Sequence, residues 1–204
     1  MLARFLHYLA AKPWIYDRVQ ALAGAGIVNR HLASALHPLV RPGLNVLDVG
    51  GGTGLARALF PADCRYVCLD SDQVKLSGFK QKYPDGIAVQ ADGTHMPIDT
   101  ASVDIVLCRF VTHHVPDDQL PALLREIARV VKPTGAFVYV EAVRVDRRPI
   151  ASLLWRYDRG SYPRSEEEVQ GRLREGFEIR SWERFAVYHQ YVLGVARPSP
   201  VTVQ

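Results

Sequence analysis

Sulfur is scarce in this sequence: three cysteines, Cys64, Cys68 and Cys108, and two methionines in 204 residues. Three thiols cannot all pair with one another, and Cys68 and Cys108 lie inside apolar runs that read as strands. Buried, reduced thiols of a cytoplasmic protein are therefore expected, not a disulfide framework. No Cys-x-x-Cys and no Cys/His cluster has metal-ligand spacing, so no metal site is expected. No apolar run reaches the roughly 18–20 residues that span a bilayer, which excludes a transmembrane helix. The opening stretch MLARFLHYLAAKPW is too short and too interrupted, by His7 and Lys12, for a secretory signal. Internal repeats and low-complexity tracts are also lacking.

Charge is present but unevenly placed. Residues 1–41 carry a net +4, 42–143 a net −3, 144–164 a net +4 and 165–204 a net −1. A mildly acidic centre is thus flanked by two basic segments. Residues 1–11 place Leu2, Phe5, Leu6 and Leu9 at helical spacing, and 14–39 read as one or two further helices after the break at Pro13.

From Leu44 the pattern alternates. The runs LNVLDVG (44–50), RYVCLD (65–70), GIAVQA (86–91), SVDIVLC (102–108) and GAFVYVEAV (135–143) read as strands. LNVLDVG is nearly all apolar, as expected of a strand covered on both faces. Helical patterns fall at 54–60, 71–83 and 117–131, the last opening on Asp caps and stopping at KPTG. Residues 165–176 form a further helix with Ser165 as its N-cap. FEIRSWERFAVY and HQYVLGVARP close the chain as a strand pair, before a tail marked by Pro198 and Pro200. The expected fold is α/β: a Rossmann-like, doubly wound, mostly parallel seven-stranded sheet with a C-terminal antiparallel pair and N-terminal helices.

The strongest chemical signal is VLDVGGGTG, residues 46–54. A strand runs into Gly50, Gly51, Gly52 and Gly54, which permit a tight turn and close approach of a ligand, and a helix N-terminus is expected beyond. The spacing lacks the G-x-G-x-x-G of dinucleotide folds and the Gly-Lys-Ser/Thr of phosphate loops. Asp48 precedes the glycines. A carboxylate there repels a pyrophosphate but suits an ammonium, such as the methionine end of S-adenosylmethionine. Asp70 ends the second strand, where an acid accepts from ribose hydroxyls, and Asp92 ends the third, placed to accept from an adenine amino group, with the Gly93 N–H near the ring.

With these motifs the segment 46–143 resembles the class I S-adenosylmethionine-dependent methyltransferases. Within them it is similar to the small-molecule group that includes the ubiquinone and menaquinone biosynthesis enzymes. VLDVGGGTG resembles that family's first motif and CLDSD its second-strand acid. ADGTHMPIDTASVDIVLC resembles its Asp-x-x-x-Leu-Pro-Phe…Phe-Asp-x-Val segment, with Met96 and Ile98 substituted. LLREIARVVKPTGAFVYVE resembles its turn into strand five, with Thr134 in place of Gly. The resemblance implies that Asp48 and Gly50–Gly54 cradle the methionine part, Asp70 the ribose, and Asp92 and Gly93 the adenine, with Ser71 a further cofactor contact. It further implies that Met96 packs near the ring and that Arg109, a departure from the pattern, lies beside the methionine end.

The donor's sulfonium is already activated, so a base is needed only for some acceptors. His113 and His114 are candidate bases; Glu141 and Tyr16 are candidate acceptor contacts. The expected division is N-terminal helices 1–41 as a cap and 42–204 as the catalytic domain, with 144–164 a basic lid. In that lid Arg156 and Arg159, amid Trp155, Tyr157 and Tyr162, suit an amphipathic or anionic small-molecule acceptor. Arg147, Arg148 and Arg164 belong to the same basic cluster. Residues 1–11 allow peripheral membrane contact. No Asn/Asp-Pro-Pro-Tyr follows strand four and no basic–aromatic stripe marks the core, so nucleic acid is not expected as a partner. A macromolecular methyltransferase and a non-catalytic S-adenosylmethionine-binding scaffold are the alternatives. The acceptor and the oligomeric state are left open.

Overall fold

The computed structural model describes residues 26–145, 162–187 and 189–200. The expectations for residues 1–25 and for 146–161, including Tyr16, Arg156, Arg159 and the remainder of the basic lid, lie outside the described residues.

The elements are α1 (Gly26–Leu36), β1 (Asn45–Val49), β2 (Arg65–Asp70), α2 (Gln73–Lys82), β3 (Ile87–Gln90), β4 (Val103–Arg109), α3 (Leu120–Val130), β5 (Val131–Val143), α4 (Glu166–Arg174), β6 (Phe177–Ala186) and β7 (Gln190–Pro198). One seven-stranded sheet has the order β3-β2-β1-β4-β5-β7-β6. Strands β1 to β5 pair in parallel; β7 inserts antiparallel between β5 and β6. The α/β sheet expected from the alternating pattern is thus present.

Strand register sorts the side chains into two cores, because residues paired across a parallel ladder point to the same face. Val46, Tyr66, Cys68, Ile105, Leu107, Val138 and Val140 pack on one face with Val28, Leu32 and Leu36 of α1. Leu47, Val49, Leu69, Val106, Cys108 and Phe137 pack on the other against Leu120, Leu123, Leu124, Ile127 and Val130 of α3. The α3 residues recur at the helical period, one stripe against the sheet. All three cysteines are free and buried.

Three local expectations are corrected. Residues 54–60 form turns and a short 3₁₀ helix at Arg57–Leu59, not an α-helix. Gly54 at φ +73 interrupts any helical start, and Pro61 limits its length, so no long-helix N-terminus faces the glycine loop. Helix α3 has Gln119 as N-cap without a side-chain cap bond; Asp117 is instead drawn to Arg164. Pro198 is the last residue of β7, paired with Phe177, not part of a loose tail. The Ser165 cap is present as a full capping box: its Oγ accepts from the Glu168 N–H at 3.2 Å, and Glu168 Oε2 accepts from the Ser165 N–H at 2.6 Å.

Candidate active site

Strand order reverses between β2-β1 and β4-β5. At this switch point, beyond the carboxyl ends of the strands, open α/β sheets bind their ligands. A cavity of about 490 Å³ lies there, lined by Asp48, Gly50–Gly52, Asp70, Ser71, Asp92, Gly93, Arg109 and His114 among others. That volume is within the range of small-molecule sites.

The N–H groups of Gly50 and Gly51 both donate to the Leu69 carbonyl, at 2.7 and 3.1 Å, which ties the loop to β2. A Cβ at Gly51 would sit 2.7 Å from Asp48 Oδ2 and 2.8 Å from Cys68 Sγ. Glycine here is what lets the Asp48 carboxylate tuck beneath the loop. Gly54 has another task. Its missing Cβ makes room for Phe79, 2.3 Å from where that atom would stand, and Gly54 is not part of the cavity wall.

Asp48 is 2% exposed. Burial pushes its carboxyl up to about 6, while the Arg109 charge and a hydrogen bond from the Tyr66 hydroxyl oppose that rise and Asp70 adds to it. Asp70 accepts from the Gly52 N–H at 3.0 Å through Oδ2 and from the Asp72 N–H at 2.8 Å through Oδ1. Each oxygen keeps lone-pair capacity for a further donor, as recognition of a diol requires. Ser71 is exposed beside it. Asp92 Oδ1 accepts from both the N–H and the hydroxyl of Thr94, at 2.8 and 2.9 Å, and these bonds hold its carboxyl below the usual range.

Met96 does not reach the cavity. Its N–H donates to Glu126 Oε2 at 2.7 Å and its carbonyl accepts from Arg129 Nη2 at 3.0 Å, which pins this stretch to α3 and leaves the side chain in the core. Arg109 lines the cavity and donates to Asn29 Oδ1 of α1 at 2.8 Å. Phe110, beside it, holds φ +57, a strained conformation for an aromatic residue at the rim of a site.

The two histidines part company. His114 is exposed and lines the cavity. His113 is buried beneath it, ring centroids 4.0 Å apart, and contacts Glu141 Oε1 through Nδ1 at 2.7 Å. Glu141 is 2% exposed and absent from the cavity wall. Its Oε2 accepts from the Thr112 N–H at 2.9 Å, the Thr112 hydroxyl at 2.8 Å and the His113 N–H at 3.3 Å, and its Oε1 from the Ala142 N–H at 3.0 Å. Burial opposes the charge, but His113 and these hydrogen bonds outweigh it and hold the carboxyl below its ordinary value. With its hydroxyl proton given to Glu141, Thr112 accepts from the Tyr139 hydroxyl at 2.6 Å. Glu141 thus organises the Thr112–His114 turn rather than facing an acceptor.

Arg164, grouped by sequence with the acceptor-facing arginines, is a buried clamp on the same turn. Its Nη1 donates to the Thr112 carbonyl at 2.6 Å, Nη2 to the Val115 carbonyl at 2.8 Å, and Nε and Nη2 to Asp117 Oδ1 at 2.9 and 2.7 Å. Arg164→Met would leave two carbonyls without these donors, and a loss of roughly 2–4 kcal/mol is expected in urea unfolding. Hydrogen exchange at residues 112–117 should rise with it. Unchanged exchange would show that the clamp is not what orders the turn. Thr112, Tyr139, Arg164, Tyr66 and Asn29 carried no motif; the only hint was that Tyr139 and Glu141, two apart in a strand, share a face.

Among the described residues no group of His, Cys, Asp and Glu is arranged to hold a metal ion, and no helix is long and apolar enough to cross a membrane.

The strand order and the acid-lined, glycine-floored cavity define a Rossmann-like methyltransferase fold. Residues 47–139 match the family described as "Methyltransferase domain", and this segment is a class I S-adenosylmethionine-dependent methyltransferase domain. The human thiol S-methyltransferase TMT1A is 32% identical over 131 residues, 58% of this chain and 51% of that protein. A Mycobacterium leprae phthiotriol/phenolphthiotriol dimycocerosates methyltransferase is 31% identical over 104 residues, 48% of this chain and 38% of that one. The chain therefore spans about half, or less, of the length of these two curated relatives. Among solved structures, a Pyrococcus horikoshii protein superposes with a TM-score of 0.68 at 16% identity, over 94% of this chain and 95% of the other, a likeness of fold.

Proposed function

We propose that the protein transfers a methyl group from S-adenosylmethionine to a small-molecule acceptor by in-line displacement. The observation that carries this reading is the buried Asp48 carboxylate beneath Gly50–Gly52, in one cavity with the acids that end β2 and β3. A buried carboxylate in need of a counter-charge fits an ammonium group, Asp70 with two half-occupied oxygens fits a ribose diol, and the Asp92–Gly93 turn fits an adenine edge. Ser71 lies beside the ribose position. When bound, S-adenosylmethionine would supply a methyl group on a positively charged sulfur, already a good leaving group. The protein's tasks are then alignment and exclusion of water. His114, the histidine on the cavity wall, is placed to take a proton from a thiol or hydroxyl acceptor, while His113 and Glu141 hold the turn that carries it.

The names of the human and Mycobacterium leprae relatives, a thiol and a dimycocerosate methyltransferase, support a small-molecule acceptor over a macromolecule. We further assign residues 1–41 to a cap and 144–164 to a basic lid, whose +4 charges suit an anionic or amphipathic acceptor. Alanine at Arg156 and Arg159 should then weaken acceptor affinity and leave donor affinity unchanged. Three free cysteines are in keeping with a cytoplasmic setting.

Calorimetry with S-adenosylmethionine and S-adenosylhomocysteine, NAD as control and Asp70→Ala beside the wild type, tests the reading. Binding of both sulfur ligands, none of NAD, and a loss of ten-fold or more in Asp70→Ala are expected. A folded protein that binds neither sulfur ligand overturns the reading. Methylation of tRNA or duplex DNA in preference to small thiols and phenols would replace the acceptor class.

A further inference from the structure

Asp48 pairs in register with Leu107 of β4, and Arg109 stands two residues further along that strand. The period of two puts Asp48, Leu107 and Arg109 on the same face, the face covered by α1. Asp48 and Arg109 therefore reach the cavity side by side from adjacent strands, and both line it. Arg109 has five N–H donors in a planar fork. Among the described residues its one hydrogen-bond partner is the neutral Asn29 Oδ1, and none of their carboxylates pairs with it within salt-bridge distance. That Asn29 bond holds one edge of the guanidinium and leaves the rest of the fork for a ligand.

We propose that Arg109, braced by Asn29, binds the α-carboxylate of the donor while Asp48 binds its α-ammonium, so that the two strands together read a zwitterionic amino-acid end. The inference rests on the donor reading above. It explains why a cation stands where the resemblance has none. A lone buried acid attracts any cation, whereas an acid and a fixed arginine side by side match the two opposite charges that an α-amino acid carries on one carbon. Burial raises the Asp48 carboxyl and the Arg109 charge is the largest influence opposing that rise, in keeping with their closeness. Because Asn29 belongs to α1, donor affinity is also linked to the docking of that helix on the sheet.

The test is calorimetry on the full chain with three probes. S-adenosylhomocysteine carries both charges, decarboxylated S-adenosylmethionine lacks the carboxylate, and 5′-methylthioadenosine lacks the whole amino-acid end. Arg109→Met should weaken S-adenosylhomocysteine at least ten-fold and leave the other two within about two-fold of wild type. Arg109→Lys should recover part of the loss. Asn29→Ala, which removes the brace and keeps the charge, should weaken S-adenosylhomocysteine alone, by a few-fold. Wild-type S-adenosylhomocysteine affinity in Arg109→Met overturns the inference and leaves the donor reading intact. So does an equal loss of all three probes, the mark of a structural role. Failure of the wild type to bind any probe overturns the donor reading, and the inference with it.

Discussion

Asp48→Asn is expected to weaken donor binding about a hundred-fold and, at neutral pH, to make the protein more stable. Both effects have one cause. Burial raises the carboxyl from its ordinary 3.8 to about 6, so the native state holds its proton more tightly than the unfolded chain. Between these values the native state binds more protons, and stability falls as pH rises through the window. Each pKa unit corresponds to about 1.4 kcal/mol, so the ionised carboxylate costs the native protein up to about 3 kcal/mol at pH 7. Asparagine is isosteric, still accepts from the Tyr66 hydroxyl, and carries no charge to desolvate. Urea unfolding should show the variant up to about 3 kcal/mol more stable at pH 7, and little different at pH 4, where the wild-type carboxyl is protonated too. Its affinity for S-adenosylhomocysteine should fall by about a hundred-fold, in line with loss of a buried charged partner. In the wild type, the same affinity should hold above pH 7 and fall about ten-fold per unit below 6, as the carboxylate that meets the ammonium is protonated. A variant no more stable than wild type that binds as well would remove Asp48 from the site. Active sites commonly hold such destabilised groups, and replacing them exchanges function for stability.

The opposite result is expected at Glu141. Its carboxylate is buried and accepts from Thr112, His113 and Ala142. Removing it in Glu141→Ala leaves those donors without an acceptor and His113 without its partner, and a loss of about 3–5 kcal/mol is expected. Glu141→Gln should also destabilise, because its NH₂ would face donors. The folded carboxyl lies below its ordinary 4.5, so its stabilisation is fully present above that value and is lost as pH falls below it, through the lower folded value. Acid unfolding of the wild type should be steeper in this range than that of Glu141→Ala. If the alanine variant is as stable as wild type, the Thr112–His114 turn is held by Arg164 and packing alone.

The two acids were unequally legible before folding. Asp48 announced itself through its place ahead of a glycine run, because a ligand loop is local in sequence. Glu141 was only an acid near a strand end, because most of the groups it satisfies lie 28–29 residues away, on another turn. Arg164 was misread for the same reason: composition placed it in a basic segment, while its partners at Thr112, Val115 and Asp117 are 47–52 residues distant. Met96 matched a motif position, yet backbone bonds to Glu126 and Arg129 set its direction. The helix expected over 54–60 failed more locally, since a positive φ at Gly54 and the brevity of the crossover outweighed an apolar pattern.

Short-range patterns of period, turn chemistry and strand end suffice for the alternating α/β order, the glycine loop and the acids at the ends of β1, β2 and β3, so all three are legible before folding. Which charged groups face the cavity and which hold its walls emerges on folding alone: Arg109 stands beside Asp48 on one side, and Glu141 and Arg164 lie beneath the Thr112–His114 turn on the other. Burial and partner are properties of the packed chain, and they turn identical side chains into a ligand contact or a brace.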